Sequence, residues 1–173
     1  MHTWGTMIGL LYRGQALLGV IDHPVLGLCY AGAAGLGVFR NESRLAEFSA
    51  DLGELGSHEI IVTSSPGSFE RSAEWAEFLR LVAHCKNIRI YFDCYSMTQT
   101  LEEAVAGGVE FNYKIWDFAP LDAMISELKG RLVYIRRVPQ ENGPTLLSTV
   151  YGRPGVVKKL LELFPVKVGV AVA

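Results

Sequence analysis

The residues most able to do chemistry lie in the segment 115–131, around Asp117. Asp117 follows a tryptophan and precedes a segment whose apolar residues recur at helical spacing. A carboxylate at such a strand-to-helix junction has two interpretations: it caps the helix, or it is a ligand of a metal ion. The apolar residues that would share one helical face are Phe118, Leu121, Met124, Ile125 and Leu128.

The residues around Asp117 predict where this helix begins and ends. Aspartate is a preferred N-cap residue, and Pro120 would lie in the first turn, where a missing N–H costs nothing. Gly130 would end the helix. We therefore expect a short strand to deliver Trp116 and Asp117 to the start of a helix that runs to Gly130.

Composition limits the class of protein. The chain has 173 residues, half of them apolar, and a formal net charge of -2. We expect one domain, 1–173, with a strand block in 1–49 and an alternating part in 58–173. The near-neutral charge argues against a nucleic-acid partner. The apolar runs are shorter than the about 20 residues that cross a bilayer, so no membrane contact is expected.

Cysteine and histidine usage argues against a disulfide framework and against a zinc site. The three cysteines form no C-x-x-C pair, and the four histidines are scattered along the chain. We expect a reduced, cytoplasmic setting. The residues concerned are Cys29, Cys85, Cys94, His2, His23, His58 and His84.

The first part of the chain reads as antiparallel strands. Apolar runs at 4–12 and 15–22 flank the turn signal Arg13-Gly14 and predict a hairpin. A second strand pair is expected at 28–31 and 35–40. This antiparallel block ends before a polar, glycine-bearing connection at 50–58.

The second part predicts alternating strands and helices, so the expected fold class is mixed α/β: an antiparallel block followed by a β-α-β-α-β-α layered portion. The first helix would be capped by Ser68 and would bury Trp75, Phe78, Leu79 and Val82. A glycine pair, Gly107-Gly108, would end the second helix. The tail 166–173 is expected to add a strand, with a dimerisation edge as the alternative. The predicted strands are 59–63, 87–92, 109–113, 132–135 and 146–151, and the predicted helices are 68–84, 93–106, 118–129 and 156–164.

Several local patterns, read in order, resemble the inositol monophosphatase family, most closely its histidinol-phosphate phosphatase-like branch. The resemblance covers the C-terminal two-thirds of that family and implies a truncated sugar-phosphatase-like fold. The patterns that carry it are the strand pair in 5–24, the glycine-rich ribbon in 30–41, Asp93-Cys94-Tyr95 with Ala106-Gly107, and Trp116-Asp117-Phe118-Ala119-Pro120 with Glu127-Leu128-Lys129-Gly130.

The resemblance implies magnesium-dependent hydrolysis of small phosphate monoesters by a metal-activated water. It makes Asp117 a metal ligand. It places Asp93, Cys94 and Tyr95 at a helix N-terminus near the substrate, where free N–H groups suit an anion. Glu110 is the nearest candidate for an acidic residue that contacts the substrate.

The departures from the family pattern weaken the expectation of activity. The family's "DP.DGT" segment and its upstream "GEE"-like glutamate have no counterpart in this sequence. One carboxylate cannot hold a catalytic Mg²⁺ when water competes for every other position. The other acids have ordinary structural interpretations, as a strand end, a helix cap, an exposed strand position and a first-turn acid: Asp22, Asp93, Glu110 and Asp122.

Three hypotheses therefore remain open. In the first, the chain is a relative that lost catalysis and acts as a binding or assembly module. In the second, it is the larger portion of a phosphatase, completed by another chain that carries the missing acidic motifs. In the third, it is the product of a truncated gene or a fragment. In each case we expect the face left by the absent helices to be apolar. A monomer tolerates such a patch badly, so we expect a homo-oligomer or a partner chain.

Overall fold

A computed structural model of the chain describes residues 2–49, 59–63, 66–67, 75–90 and 93–166. It confirms the mixed α/β fold class, with two sheets and the helices that pack on them. The elements in chain order are β1 (Thr6–Tyr12), β2 (Gln15–His23), β3 (Leu28–Ala33), β4 (Gly37–Arg40), β5 (Ser43–Arg44), β6 (Ile60–Thr63), α1 (Trp75–His84), β7 (Asn87–Ile90), α2 (Asp93–Leu101), β8 (Gly107–Tyr113), α3 (Ile115–Glu127), β9 (Arg131–Gln140), β10 (Gly143–Gly152) and α4 (Pro154–Leu163).

The first sheet is antiparallel throughout and has the strand order β1-β2-β3-β4-β5. Its first hairpin turns at Arg13 and Gly14, whose φ angles of 50° and 80° are both positive. Two successive positive φ angles match the right-handed twist of a hairpin, and glycine adopts one of them without strain. The predicted hairpin and the second strand pair are confirmed.

The second sheet has the order β7-β6-β8-β10-β9. Strand β6 runs parallel to β7 and to β8, whereas β10 pairs antiparallel with both β8 and β9. The parallel strands are those joined through helices, as the alternating pattern predicted. Strands β9 and β10 are longer than predicted, because their hairpin turns within two residues, Glu141 and Asn142.

The elements stack in four layers. Helices α2 and α3 lie between the two sheets, where side chains such as Met97 and Phe118 share a core with Ile21 of the first sheet and Tyr151 of the second. Helices α1 and α4 cover the outer face of the second sheet, where Leu81 and Leu160 pack with Val109. No described element covers the outer face of the first sheet.

Helix α3 approaches the first sheet closely enough to exclude side chains. A Cβ atom at Gly19 would lie 2.1 Å from the carbonyl oxygen of Pro120, and one at Gly9 would lie 2.8 Å from the Cβ of Ala119. Gly9 and Gly19 are cross-strand partners, and Gly32 continues the row. This row of glycines lets the helix backbone rest on the strands.

Burial confirms the predicted apolar face of α3 and extends it. Phe118, Leu121, Met124, Ile125 and Leu128 are all at most 1% exposed. Ala119 and Ala123, on other sides of the helix, are also buried because a sheet lies on each side.

Two helix boundaries near the candidate site differ most from prediction. Helix α3 begins at Ile115, so Asp117 and Pro120 lie inside it. Helix α2 ends at Leu101, since Glu103 turns the backbone to a φ of 56°. Gly107 and Gly108 do not end a helix.

These two glycines belong to β8 and are required by its packing. A Cβ at Gly107 would lie 2.3 Å from the carbonyl oxygen of Tyr151, and a Cβ at Gly108 would lie 2.4 Å from the Tyr151 ring. The glycine pair is therefore required by close contact with β10, and the prediction that it ends a helix is wrong.

The predicted core face of α1 is confirmed at Phe78 and wrong at its other three residues. Trp75, Leu79 and Val82 are 45%, 53% and 49% exposed. The helix instead buries Leu81, with Phe78 packed partly against the same core. Ser68 as a cap and the tail from 167 onward lie outside the described residues.

None of the helices in the described part of the chain is long and apolar enough to cross a membrane.

The glycine contact beneath α3 gives a first prediction. Replacing Gly19 by alanine should lower the free energy of unfolding by about 3 kcal/mol or more, because overpacking against helix backbone has no flexible side chain to yield. Urea unfolding measures this loss. Gly143→Ala is the matched control, since its added Cβ meets only Gln140 at 3.7 Å. An unchanged Gly19→Ala midpoint would contradict this packing.

Candidate functional site

Asp117 occupies the third position of α3, and Lys114 is the N-cap. The Asp117 carboxylate accepts a hydrogen bond from the Lys114 N–H at 2.9 Å, and the Asp117 N–H donates to the Lys114 carbonyl at 3.0 Å. The side chain therefore closes the helix start from inside the first turn. The prediction that Asp117 is itself the N-cap residue is wrong.

Lys114 and Trp116 lie beside Asp117, and the sequence reasoning assigned neither a role in binding. The Lys114 ammonium lies 5.5 Å from the centroid of the Trp116 ring, and Trp116 is 53% exposed. Lysine is not a favoured N-cap residue, and a cation at a helix N-terminus opposes the helix dipole. A lysine at this unfavourable position is the one feature of the sequence that could have indicated a role for Lys114. The start of α3 therefore presents a cation, an exposed aromatic ring and a carboxylate together.

Helix α2 begins at Asp93, whose side chain lies outside the described part of the structure. Cys94 is 5% exposed and belongs to the core between the sheets. Tyr95 is half-buried, and its ring meets the His23 ring edge-on at 5.8 Å. Of the residues expected at this helix start, Cys94 therefore points into the core and Tyr95 packs against the first sheet.

Glu110 is 1% exposed, so its expected position on the surface of a strand is wrong. Its carboxylate accepts hydrogen bonds from the Tyr151 hydroxyl at 3.3 Å and from Ser96 Oγ at 3.5 Å. Burial, followed by the charge of Glu110, raises the pKa of Tyr151 well above its usual value. Because Ser96 lies in the first turns of α2, Glu110 ties that helix to the second sheet.

His23 joins α2 to the first sheet. Its ring is fully buried, and its Nε2 lies 3.1 Å from Thr98 Oγ1 in α2. Burial lowers the pKa of His23, and neighbouring backbone of Trp4 and the charge of Asp22 offset this only in part. The ring is therefore held neutral at neutral pH.

Glu127, the acid of the motif Glu127-Leu128-Lys129-Gly130, has a structural role. Its two carboxylate oxygens accept hydrogen bonds from the backbone N–H groups of Gly35 at 2.9 Å and Gly37 at 3.0 Å. These bonds lower the pKa of Glu127. Both glycines have positive φ, so Glu127 fixes the turn between β3 and β4.

The remaining acids do not complete a cation site. Asp22 pairs across the strands with Cys29 at the end of β2, and burial raises the pKa of Asp122 within α3. Among the described residues, no three His, Cys, Asp or Glu side chains converge to hold a metal ion. Mg²⁺ prefers several oxygen ligands, so the donors present around Asp117 do not fit it by themselves.

Comparison with known proteins places this arrangement in a family. A sequence profile of the inositol monophosphatase family matches residues 2–157. The chain belongs to this family. The histidinol-phosphatase of Mycobacterium tuberculosis is 29% identical over 151 residues, which cover 84% of this chain and 57% of that protein. The chloroplastic bifunctional phosphatase of Arabidopsis thaliana is 30% identical over 129 residues, covering 75% of this chain and 36% of the relative.

Solved structures of the family share the fold. The inositol monophosphatase of Anabaena has a TM-score of 0.77 at 22% identity, covering 94% of this chain and 66% of its own. That of Zymomonas mobilis has a TM-score of 0.76 at 24% identity, covering 92% and 62%. The chain thus spans about two-thirds of these structures and 57% of the mycobacterial relative, as the resemblance to part of the family implied.

The buried His23 predicts how stability responds to pH. The pKa of His23 is lower in the folded chain than its value of 6.5 in the unfolded chain. The neutral ring therefore contributes its full share to the free energy of unfolding at pH values above 6.5. As the pH falls below 6.5, the unfolded chain binds a proton that the folded chain resists, and stability declines. The unfolding free energy of the wild type should therefore fall between pH 7.5 and 5.5. Urea titrations at several pH values measure it.

Two variants test whether His23 causes this fall of the unfolding free energy with pH, called the slope below. His23→Gln should flatten it, whereas His84→Gln, which alters an exposed histidine of α1, should leave it unchanged. A slope that survives in His23→Gln would contradict the assignment.

Proposed function

We propose that this inositol monophosphatase family chain does not hydrolyse phosphate esters by itself and acts as a binding or assembly module. The observation that supports the proposal is the role of Asp117. Its carboxylate accepts the Lys114 N–H, and no group of three potential ligands forms among the described residues. A single carboxylate leaves most positions of a Mg²⁺ ion to water.

Without several carboxylates, the two effects that metal ions supply to phosphate hydrolysis are missing. These are the lowered pKa of the attacking water and the neutralised charge on the phosphate oxygens. The described residues instead place Asp117, Glu110 and Glu127 in hydrogen bonds that hold helices and a turn. These three carboxylates therefore stabilise the fold through their hydrogen bonds.

The ligand that suits this module is a small phosphate ester. The Lys114 ammonium at the start of α3 supplies a positive charge, and the exposed Trp116 ring supplies an apolar surface beside it. The first turn of α2 is a second place where backbone N–H groups suit an anion. A substrate-binding role for Asp93, Cys94, Tyr95 and Glu110 stays a prediction, in which the buried Cys94 and Glu110 act by holding α2 in place. We place the module in the cytoplasm, a setting that suits its three cysteine thiols.

A second candidate function is a Mg²⁺-dependent phosphate monoester hydrolase completed by self-association or by a partner chain. The observation that favours it is the uncovered outer face of the first sheet, where Ile8, Leu10 and Tyr12 of β1 are each more than half exposed. In such a complex, Asp117 would share the metal with carboxylates of the other chain. An exposed apolar face is a common mark of an interface.

A phosphatase assay on the purified chain separates the two functions. Inositol phosphates and other small phosphate esters are supplied with millimolar Mg²⁺, and released phosphate is measured for the wild type and Asp117→Ala. We expect both to match the protein-free rate, because the ligand set is incomplete. Lys159→Ala serves as the matched surface control, since its ammonium only faces Glu162 at 3.4 Å.

Turnover that requires Mg²⁺ and disappears in Asp117→Ala, but not in Lys159→Ala, would overturn the inactive module. If such turnover rises more steeply than protein concentration, the hydrolase completed by association is correct.

A further inference from the structure

A cleft lies between the turn of the first hairpin and the second half of α3. Its volume is about 450 Å³, within the range of about 300–1,000 Å³ that ligand pockets occupy. The cleft is separate from the candidate site, because Ser126 on its wall lies nine residues beyond Asp117 in α3, a rise of about 14 Å along the helix. Four residues without long side chains leave this space open: Gly14, Ala16, Ala34 and Ala123.

Helix α3 supplies an acidic wall of the cleft. Asp122 and Ser126 are four residues apart and therefore lie on one face of the helix, next to Glu127. Asp122 is half-buried, and burial raises the pKa of its carboxyl with no neighbouring cation to lower it. Its charge also adds to burial in raising the pKa of Tyr134. Within the described residues, the Asp122 carboxylate is therefore not paired with a cation.

The hairpin turn supplies a cation on the other side of the cleft. Arg13 has a φ of 50° in this turn, and its guanidinium carbon lies 5.2 Å from the centroid of the Tyr12 ring. The side chain is exposed. Although Arg13 and Asp122 line the same cleft, no ion pair joins them, so the space between the two charges is available to a ligand.

The charges of the two walls define the class of ligand. Asp122 suits an ammonium group, and the planar guanidinium of Arg13 suits a carboxylate. A phosphate ester would be repelled by Asp122 and Glu127, whereas a simple amine would leave Arg13 unused. A free amino acid carries both groups. The remaining polar side chains of the cleft, Gln15 and Ser126, suit an uncharged polar group on that amino acid.

We propose that this cleft binds a free amino acid with an uncharged polar side chain, with its ammonium group on Asp122 and its carboxylate on Arg13. The site lies apart from the phosphate ester site proposed at the start of α3, and the inference does not depend on that site. Because both sites are built on α3, the bound amino acid would contact the helix that carries Asp117.

Isothermal titration calorimetry of the full chain with L-glutamine tests the proposal. L-Glutamine should bind saturably to the wild type. Two analogues each lack one of its charges: γ-aminobutyramide has no carboxylate, and glutaramate has no ammonium group. Each analogue should bind at least about tenfold more weakly, which is the loss expected for one charge-assisted hydrogen bond.

Two variants remove the same charges from the protein. Asp122→Asn and Arg13→Gln should each weaken L-glutamine binding at least about tenfold, because each keeps a polar side chain but loses the charge. Arg89→Gln is the matched control for the arginine, since Arg89 is exposed on β7 of the other sheet. Glu141→Gln is the control for the carboxylate, in the exposed turn between β9 and β10. Both controls should bind L-glutamine as the wild type does.

The outcomes are distinct. A wild type that does not bind L-glutamine would overturn the proposal, as would an analogue that binds equally well. Unchanged affinity in Asp122→Asn or in Arg13→Gln would overturn it too. If circular dichroism shows that Asp122→Asn does not fold, Arg13→Gln in its exposed turn still decides the result. Because the titration uses no Mg²⁺ or phosphate ester, its result is independent of the phosphatase assay.

Discussion

The contact between Gly19 and Pro120 is the constraint on which the rest of the structure depends. The backbone of α3 rests on the first sheet at this point, with no room for a side chain between them. The helix is thereby held between the two sheets, and its buried residues join both sheets in one core. The bonds between Lys114 and Asp117 then close the start of α3.

Much of the fold could be predicted from local patterns. The hairpin of β1 and β2 has its turn signal at Arg13-Gly14, and the apolar face of α3 follows helical spacing. What could not be predicted depends on contacts distant in sequence. Gly107 and Gly108 serve packing against Tyr151, and the spacing of α1 could not tell which of its two apolar stripes faces the second sheet.

The central helix beside the Trp-Asp pair was predictable, but the contacts of the acids around it were not. The Trp-Asp pair correctly marked the start of a central helix. The sequence alone could not show that Glu110 is buried, because an acid on a short strand has no local signal for the Tyr151 and Ser96 hydroxyls that meet it. Lys114 was overlooked because lysine before a helix is read as surface. The acids at motif positions share one property: Asp117, Glu110 and Glu127 each accept hydrogen bonds that hold an element in place.

The central claim is that Asp117 serves the fold and is not part of a complete metal site in this chain. It is tested most directly by the unfolding free energy of wild type and Asp117→Ala, each measured with and without millimolar Mg²⁺. Loss of the bond to the Lys114 N–H should cost the variant about 1 kcal/mol, and Mg²⁺ should change neither protein. Stabilisation of the wild type by Mg²⁺ that is absent in Asp117→Ala would contradict the account, because binding to the folded state alone raises stability.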